Sequence, residues 1–407
     1  MKIKLFYIHP TNYGNLMMAS SFIYYFDLLW KEKYGETPSF YLDVLDDKEL
    51  ERVKKSLPTG IKVYRETLFN RKRRGIIGKI EKLINIPREI YYNRKNYDIC
   101  VALGGDCISQ YYSSQVFISD MIKFKFISLK RPFYLQGQTM GPFHGYAVKL
   151  VQSCLKACKI YVRDHDCYEY ITGMYQFPYI KEARDLAFLD IPYQNDSKIQ
   201  KEVLKKYVGS SSYITIVPSG ADKQYTSKLE NYIEEYVKII NNVLFNTNYD
   251  ILLLAHVIHV QDSNDKKIID LLLPKLEEKY KERIHVVNFL LQPYEARILL
   301  GNGLATITGR MHAAVSSINM GTLPICLSYS VKYKGVIGDE FDLNNYIYQC
   351  RGDEWWTDGL VSENVCKMLY QVLNNRQEIV DRLKIKLDNV KEQSMRQIEA
   401  IVEETKK

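Results

Sequence analysis

The chain has 407 residues, of which 46% are hydrophobic and 26% are charged, and its net charge is +8 at neutral pH. This length exceeds what one hydrophobic core usually supports and predicts two domains. No apolar run is long enough to span a membrane, and the N-terminus turns polar too early for a signal peptide, so we expect a cytoplasmic protein. The eight cysteines lack the spacing of metal ligands, so we expect reduced thiols and no metal.

The chain begins with a predicted strand at residues 2–9, the turn PTNYGN, and a predicted helix at residues 16–33. A glycine at this turn lets backbone N–H groups face a ligand at the carboxyl end of the strand, where parallel sheets bind their ligands. A well-formed turn without a ligand is the alternative. We predict that Asn12, Gly14 and Asn15 bind substrate.

A basic amphipathic segment extends from Arg71 to Lys95. It contains nine Lys or Arg residues and two Glu, interleaved with isoleucine and leucine. Such a segment is typical of a surface that contacts anionic lipid headgroups or a polyanionic acceptor, and it is equally typical of an exposed loop or helix face. No nucleic-acid-binding motif accompanies the charge, so we expect no nucleic-acid partner.

Two glycine-containing loops follow neighbouring predicted strands. Gly104, Gly105 and Asp106 come after the strand at residues 97–103, and Gln138 lies in the loop after the strand at residues 133–136. Neither loop has the spacing of a dinucleotide or phosphate fingerprint, so ordinary strand-to-helix turns are the alternative. At the carboxyl edge of a parallel sheet we expect all four residues to face a ligand.

Arg163 follows the next predicted strand, at residues 160–162, and Asp164 is placed to cap the helix after it. An arginine at the ligand edge of a sheet is suited to an anionic substrate, because its planar fork matches carboxylate and phosphate oxygens. We therefore predict that Arg163 belongs to the active site.

The polar, serine-rich stretch 196–212 predicts a linker. It separates an N-terminal α/β domain, residues 1–195, from a C-terminal α/β domain, residues 213–358, and a helical segment follows at 359–407. Strand and helix patterns alternate on both sides of the linker. The predicted fold class is α/β, with two doubly wound, Rossmann-like domains that face each other across a cleft.

The densest group of chemical side chains lies between residues 308 and 338. Arg310 and His312 stand where a predicted buried strand gives way to a helix, and helix N-termini at this edge favour anions. Lys332 and Lys334 follow the next predicted strand, at residues 323–328. Ser219 and His256 follow two earlier predicted strands, at residues 213–217 and 250–255. The substrate-binding residues that we predict in this domain are Ser219, His256, Lys332 and Lys334.

The order of these landmarks resembles the polysaccharide pyruvyl transferase family. The motifs are, in chain order, NYGN, GGD, GQTMGPF, RD, DLAFLD, PSG and GRMHAAVSSINMGTLPICLSYSVKYKG. The resemblance covers about residues 5–340 and implies a fold like that of the two-domain GT-B glycosyltransferases. It also implies transfer of pyruvate from phosphoenolpyruvate, as co-substrate and without a cofactor, to two hydroxyls of one sugar, which gives a cyclic ketal.

By this resemblance, basic positions of the family motif fall on Arg163, Arg310, His312 and Lys332, whereas Asp106 stands where the family often has glycine. Phosphoenolpyruvate carries a carboxylate and a phosphate on one carbon, so its site needs several cations. We predict that Arg163 and Arg310 act at the reacting centre and that His312 transfers protons, since imidazole does so near neutral pH. A packed histidine without a catalytic role is the alternative for His312.

Two other functions fit the same pattern. A GT-B glycosyltransferase also needs basic groups around a nucleotide diphosphate, and a non-catalytic binding protein could keep the same fold. The family resemblance implies an acceptor sugar, expected on a polyprenyl-diphosphate-linked oligosaccharide for capsule or exopolysaccharide at the cytoplasmic face of the membrane. No residue pattern identifies that sugar, its hydroxyl pair or the oligomeric state.

Overall fold

The computed structural model describes residues 1–66, 75–110, 114–258 and 263–405, with residues 75–84 described as backbone only. The chain forms two compact units. Unit 1 comprises Met1–Pro10, Asn15–Leu186 and Lys391–Lys407, and unit 2 comprises Thr11–Gly14 and Ala187–Val390. Among the described residues, no helix combines the length and the hydrophobicity needed to cross a membrane.

Unit 1 is built on a seven-stranded parallel sheet in the order β3-β2-β1-β4-β5-β6-β7. The strand order changes direction between β1 and β4, and ligands of open α/β sheets bind at such a switch point. β4 and β5 are buried along their whole length because helices cover both faces. The strands are β1 (Lys2–Phe6), β2 (Ser39–Leu42), β3 (Lys62–Arg65), β4 (Ile99–Ala102), β5 (Phe133–Gln138), β6 (Lys159–Val162) and β7 (Ile180–Glu182).

Unit 2 contains a six-stranded parallel sheet in the order β10-β9-β8-β11-β12-β13. Its switch point lies between β8 and β11, which pair through Thr306 and Thr215. The strands are β8 (Tyr213–Val217), β9 (Asp250–Leu254), β10 (Ile284–Val287), β11 (Ala305–Thr308), β12 (Leu323–Ser328) and β13 (Ile347–Gln349).

The helices of unit 1 alternate with its strands. The predicted cap of α6 is confirmed, because the Asp164 carboxylate accepts a hydrogen bond from the Cys167 amide at 2.8 Å. The helices are α1 (Tyr13–Tyr34), whose first two residues are counted in unit 2, α2 (Asp47–Lys55), α3 (Gly75–Asn96), α4 (Ser114–Ser128), α5 (Tyr146–Cys154) and α6 (His165–Met174).

The helices of unit 2 follow the same alternation, and short 3-10 turns connect several of them. The last helix, α13, leaves unit 2 at Val390 and ends in unit 1. The helices are α7 (Ser197–Tyr207), α8 (Leu229–Asn246), α9 (Asp265–Leu272), α10 (Pro293–Asn302), α11 (Met311–Asn319), α12 (Leu360–Asn374) and α13 (Arg376–Glu404).

The division into units differs from the predicted domain boundaries at several places, including the predicted linker and the C-terminal segment. The stretch 196–212 contains the helix α7. This helix is polar because it lies on the surface, with Val203 as its only buried residue. The segment 359–407 is divided, and its last part packs into unit 1 through Ile398, Ile401 and Val402. Composition alone does not separate an amphipathic helix on a domain surface from a linker.

Candidate active site

Four loops at the carboxyl edge of the unit 2 sheet carry the polar residues that the sequence singles out. They follow β8, β9, β11 and β12, on both sides of the switch point. Thr11–Gly14 contributes a fifth segment, because Asn12 pairs with Val257 and the Ile258 amide donates to the Thr11 carbonyl at 3.1 Å. These five segments together form the candidate site of unit 2.

The buried carboxylate of Asp265 joins three of the loops. Its Oδ1 accepts hydrogen bonds from the Gly220 amide at 2.7 Å and from Arg310 Nε at 3.0 Å. Its Oδ2 accepts from the amides of His256 and Val257 at 2.9 and 2.8 Å. Asp265 is completely buried, so this carboxylate fixes the position of each loop around it.

Sequence reasoning missed Asp265. The residue is the first of α9, and the adjacent Asn264 caps that helix by accepting from the Lys266 amide at 3.2 Å. An acidic residue in the first helical turn is usually a surface residue that interacts with the helix dipole. The only signal in the sequence is the strand end at Leu254, which lies eleven residues before the start of α9 and brings its loop to the same edge.

Arg310 is held from two sides. Its Nη2 contacts Asp265 Oδ1 at 2.5 Å, and donates to the carbonyl and the hydroxyl of Ser263, both at 2.8 Å. Burial by itself lowers the pKa of Arg310, and the charge and hydrogen bonds of Asp265 outweigh that effect, so the pKa is raised. The guanidinium therefore stays charged, with its orientation fixed before any anion arrives.

Two buried tyrosines fix the turn that precedes Arg310. The Gly309 carbonyl accepts hydrogen bonds from the hydroxyls of Tyr225 and Tyr333 at 2.9 and 2.7 Å. Burial raises the pKa of both phenols, which keeps them neutral donors. A Cβ at Gly309 would lie 2.9 Å from Ser219 Cβ, so only glycine fits between the loops after β8 and β11.

His312 is the second residue of α11 and lies against the N-terminal turn of the chain. A Cβ at Gly14 would lie only 2.2 Å from His312 Nδ1, so the glycine backbone packs directly on the imidazole. The turn is fixed by Asn12, whose side-chain oxygen accepts from the Gly14 amide at 3.0 Å. The structure therefore brings Asn12, Gly14 and His312 together, although almost three hundred residues of sequence separate the turn from the histidine.

Replacing Gly14 with Ala is expected to lower turnover on the order of a hundredfold, because the new methyl group displaces the His312 ring. Gly173→Ala is the matched control, since Gly173 lies within α6 and its added Cβ would meet no atom within 4 Å. Rates and unfolding midpoints of both variants check this. A Gly14→Ala protein with the parental rate would show that the imidazole position does not matter for turnover.

His256, on the loop after β9, is buried, with only 1% of its surface exposed. Its ring meets Tyr13 edge-on, with centroids 5.2 Å apart, and its buried Nε2 has no hydrogen-bond partner among the residues that the structure describes. Burial, reinforced by the positive charges of His312, Arg310 and Arg297, lowers the pKa of His256 well below its usual value. The imidazole of His256 is therefore neutral in the folded protein.

This lowered pKa makes stability depend on pH. The unfolded chain binds a proton at His256 below a pH of about 6.5, whereas the folded chain does not, so the free energy of unfolding falls as pH falls. Between pH of about 7.5 and 5.5 we expect His256 to account for a loss of about 1.4 kcal/mol. Thermal unfolding of the parent and of His256→Gln across this range measures it, and parallel curves for the two proteins would contradict the assignment.

The remaining predicted residues of unit 2 differ in their surroundings. Lys332 Nζ lies 3.1 Å from the Tyr329 hydroxyl and 5.1 Å from the centre of its ring. Lys334 forms an exposed ion pair with Asp339 at 2.7 Å. The Ser219 hydroxyl is buried and accepts from the Ala221 amide at 3.2 Å, which stabilises its own turn.

Unit 1 holds the other predicted site residues at the carboxyl edge of its own sheet. Gly105 pairs with Gln138, which is the last residue of β5 and not part of the loop after it, because the strand extends two residues beyond its predicted end. The Thr139 amide donates to the Gly105 carbonyl at 2.8 Å. A Cβ at Gly104 would lie 2.6 Å from the Gly137 carbonyl oxygen, so this position requires glycine. The two glycine loops are therefore neighbours, as the sequence predicts, while Asn15 is half-buried in the first turn of α1.

Arg163 is buried beneath these loops, with 1% of its side chain exposed. It donates to Asp185 at 2.7 Å and to the Thr139 hydroxyl at 2.7 Å. Burial lowers the pKa of Arg163, but the charges of Asp185, Asp106 and Asp164 outweigh burial and raise it. These contacts fix loops of unit 1, and its predicted contact with substrate stays a prediction.

The chain is similar in sequence to one known family over most of its length. The sequence model of that family, polysaccharide pyruvyl transferase, matches residues 17–331. A relative described as amylovoran biosynthesis protein AmsJ, from Erwinia amylovora, is 23% identical over 255 residues. This match covers 60% of the present chain and 59% of the relative, so the chain spans less than two thirds of that relative's length.

Solved structures of sugar-nucleotide enzymes share the fold. The UDP-N-acetylglucosamine 2-epimerase from Neisseria meningitidis has a TM-score of 0.60 at 10% identity, covering 99% of this chain and 100% of that one. The corresponding enzyme from Methanocaldococcus jannaschii has a TM-score of 0.51 at 12% identity, covering 91% and 100%. At these identities the likeness concerns the fold alone, and it confirms the predicted class of two parallel-sheet α/β units of the GT-B-like kind.

Proposed function

The chain belongs to the polysaccharide pyruvyl transferase family, and on that premise we propose that it transfers a pyruvyl group from phosphoenolpyruvate to a sugar of a polysaccharide precursor. Two hydroxyls of one sugar become a cyclic ketal, and phosphate is released. The main observation behind this proposal is the charged guanidinium of Arg310, which is hydrogen-bonded to the buried carboxylate of Asp265. Arg310 directly precedes α11, the helix that contains His312.

An anionic donor is favoured by the start of α11. Arg310 is the N-cap residue of this nine-residue helix, and its own side chain does not cap the N–H groups of the first turn. Such groups attract carboxylate or phosphate, and the fixed guanidinium adds a full positive charge beside them. Lys332, on the loop after the neighbouring strand β12, supplies a further cation for the charges of phosphoenolpyruvate.

His312 is the proposed proton-transfer group. A proton added to C3 of phosphoenolpyruvate makes the methyl group, and a sugar hydroxyl bonds to C2 as it loses its proton. The bond from C2 to the phosphate oxygen then breaks, and the second hydroxyl closes the ketal while its proton leaves with phosphate. Each step transfers a proton near C2 or C3, and an imidazole can transfer protons near neutral pH.

The proposed acceptor is an oligosaccharide on a polyprenyl diphosphate at the cytoplasmic face of the membrane. This assignment follows from the family and from the basic segment Arg71–Lys95, of which residues 71–74 lie outside the described residues and residues 75–84 are described as backbone only. We propose that unit 1 provides the acceptor side, through the loop of Gly105 and the end of β5, where Gly105 pairs with Gln138.

One assay tests the function. The purified protein is given phosphoenolpyruvate or a panel of sugar nucleotides together with candidate glycans, and the release of phosphate and of nucleoside diphosphate is measured. Acceptor-dependent phosphate release, with one pyruvate ketal on the glycan by mass spectrometry, is the expected result. Release of nucleoside diphosphate alone would overturn the proposal in favour of a glycosyltransferase.

A further inference from the structure

One long stretch of unit 1 contains no acidic residue. Between Met121 and Lys159 there are no Asp or Glu, while the same 39 residues contain seven Lys or Arg. The stretch includes the second half of α4, all of β5 and all of α5. In an ordinary protein about a quarter of the residues are charged, and positive and negative residues are mixed. The lack of acidic residues in this stretch therefore indicates a positively charged surface.

The helices of this stretch form one layer with α3. Arg94 Nε of α3 donates to the Phe126 carbonyl of α4 at 2.7 Å, and Arg131 Nε donates back to the Arg94 carbonyl at 2.8 Å. On the other side of α4, Lys125 Nζ donates to the Ser153 hydroxyl of α5 at 2.7 Å. The outer surface of the second half of α3, residues 85–96, of α4 and α5, and of the short turns that follow α4 and α5 is therefore continuous, and we call it the basic face.

Large apolar side chains lie exposed on the basic face. Tyr91 is 65% exposed, Leu129 is 57% exposed and Phe126 is 42% exposed. They stand among exposed cations, and Lys95 Nζ lies 5.9 Å from the centre of the Tyr91 ring. The exposed lysines of this face include Lys95, Lys130, Lys149 and Lys156.

Two carboxylates of this layer, Asp120 and Glu89, are already paired with a lysine. Lys123 of α4 lies 2.7 Å from Asp120 and 3.6 Å from Glu89 of α3. Only about a tenth to a fifth of each of these three side chains is exposed. The lysines on the outer surface therefore project a field that these two carboxylates do little to cancel.

We propose that the basic face binds an anionic lipid bilayer peripherally. Lysines near an anionic surface are attracted by the headgroups, while aromatic and aliphatic side chains between them enter the boundary between headgroups and acyl chains. A soluble polyanion would use the charges and leave the apolar side chains in water. The combination of both kinds of residue on one layer favours a bilayer, and this inference does not depend on the transferase reaction.

Vesicle sedimentation without substrate tests the charges. The parent is expected to bind phosphatidylcholine vesicles that contain phosphatidylglycerol, to bind less at high salt, and not to bind pure phosphatidylcholine. A variant with Lys95, Lys130, Lys149 and Lys156 changed to Gln is expected to bind at least about thirtyfold more weakly. The matched control changes Lys198, Lys201, Lys205 and Lys206, four exposed lysines on α7, to Gln and is expected to keep the parental affinity.

A second pair of variants tests the apolar side chains. Phe126→Ser with Leu129→Ser is expected to weaken vesicle binding about tenfold, whereas Phe245→Ser with Ile385→Ser, exposed residues outside the face, leaves it unchanged. No binding by the parent at low salt, or equal losses in the two lysine variants, would overturn the proposal. Undiminished binding by the Phe126→Ser, Leu129→Ser protein would also overturn it, because the face would then recognise polyanions in general.

Discussion

Changing His312 to Gln is expected to lower ketal formation by about a hundred- to ten-thousandfold, the usual contribution of a general acid or base. Glutamine keeps a polar side chain of similar length at the start of α11, so the fold and the contact with Gly14 are retained. Phosphate release at saturating phosphoenolpyruvate and acceptor measures the loss.

The matched control for this variant is His285→Gln. His285 lies near the start of β10, at the amino edge of the same sheet, and its ring nitrogen is 2.9 Å from Asp250. We expect this control to retain the parental turnover, although the loss of the contact with Asp250 lowers its stability. If His312→Gln kept more than about a tenth of the parental rate, proton transfer would have to be assigned to another group.

Changing Asp265 to Asn is expected to raise the KM for phosphoenolpyruvate and to lower kcat/KM on the order of a hundredfold. The amide has the shape of the carboxylate but not its charge, so Arg310 loses its ionic partner and three loops lose a shared acceptor. Breaking one side of a buried ion pair costs about 3–5 kcal/mol of stability. The unfolding midpoint and the two kinetic constants are the measurements.

Asp270→Asn is the control on the same helix. Its carboxylate is 45% exposed and pairs with Lys266 on the surface, so its loss is expected to change stability by no more than about 0.5 kcal/mol. A role in positioning requires that KM for the donor changes more than kcat in Asp265→Asn. Equal and small changes in both aspartate variants would mean that Arg310 holds its orientation without Asp265.

The alternation of strands and helices and the polar residues after them could be predicted from the sequence because both are local. β11 followed by Gly309 and Arg310 is a short apolar run that ends in a turn, and periodicity is enough to recognise it. The contact between Gly14 and His312, and the role of Asp265, are not local. They exist because crossovers bring distant turns to one sheet edge, which no pattern of spacing encodes.

Arg163 and Arg310 also show what could not be predicted from the sequence. Both are arginines at the end of a buried strand, and the sequence assigns both to the active site. In the structure both are paired with a buried aspartate, Asp185 and Asp265 respectively. Asp164 caps the helix after Arg163, whereas Arg310 is itself the N-cap of α11 and its side chain forms no capping hydrogen bond. The sequence predicts that each of these residues carries a positive charge. The partners of each guanidinium determine how it is oriented, and they are seen only in the structure.

The last turns of α13 belong to unit 1, where Ser394 and Gln397 donate to the carbonyls of Asp185 and Arg184 at 3.1 and 2.7 Å. Ala187–Val390, the 204 residues between these partners, form nearly all of unit 2. During vectorial synthesis the nascent unit 1 therefore emerges from the ribosome first but is completed last. The final packing of unit 1 can therefore form only after the other unit has been translated.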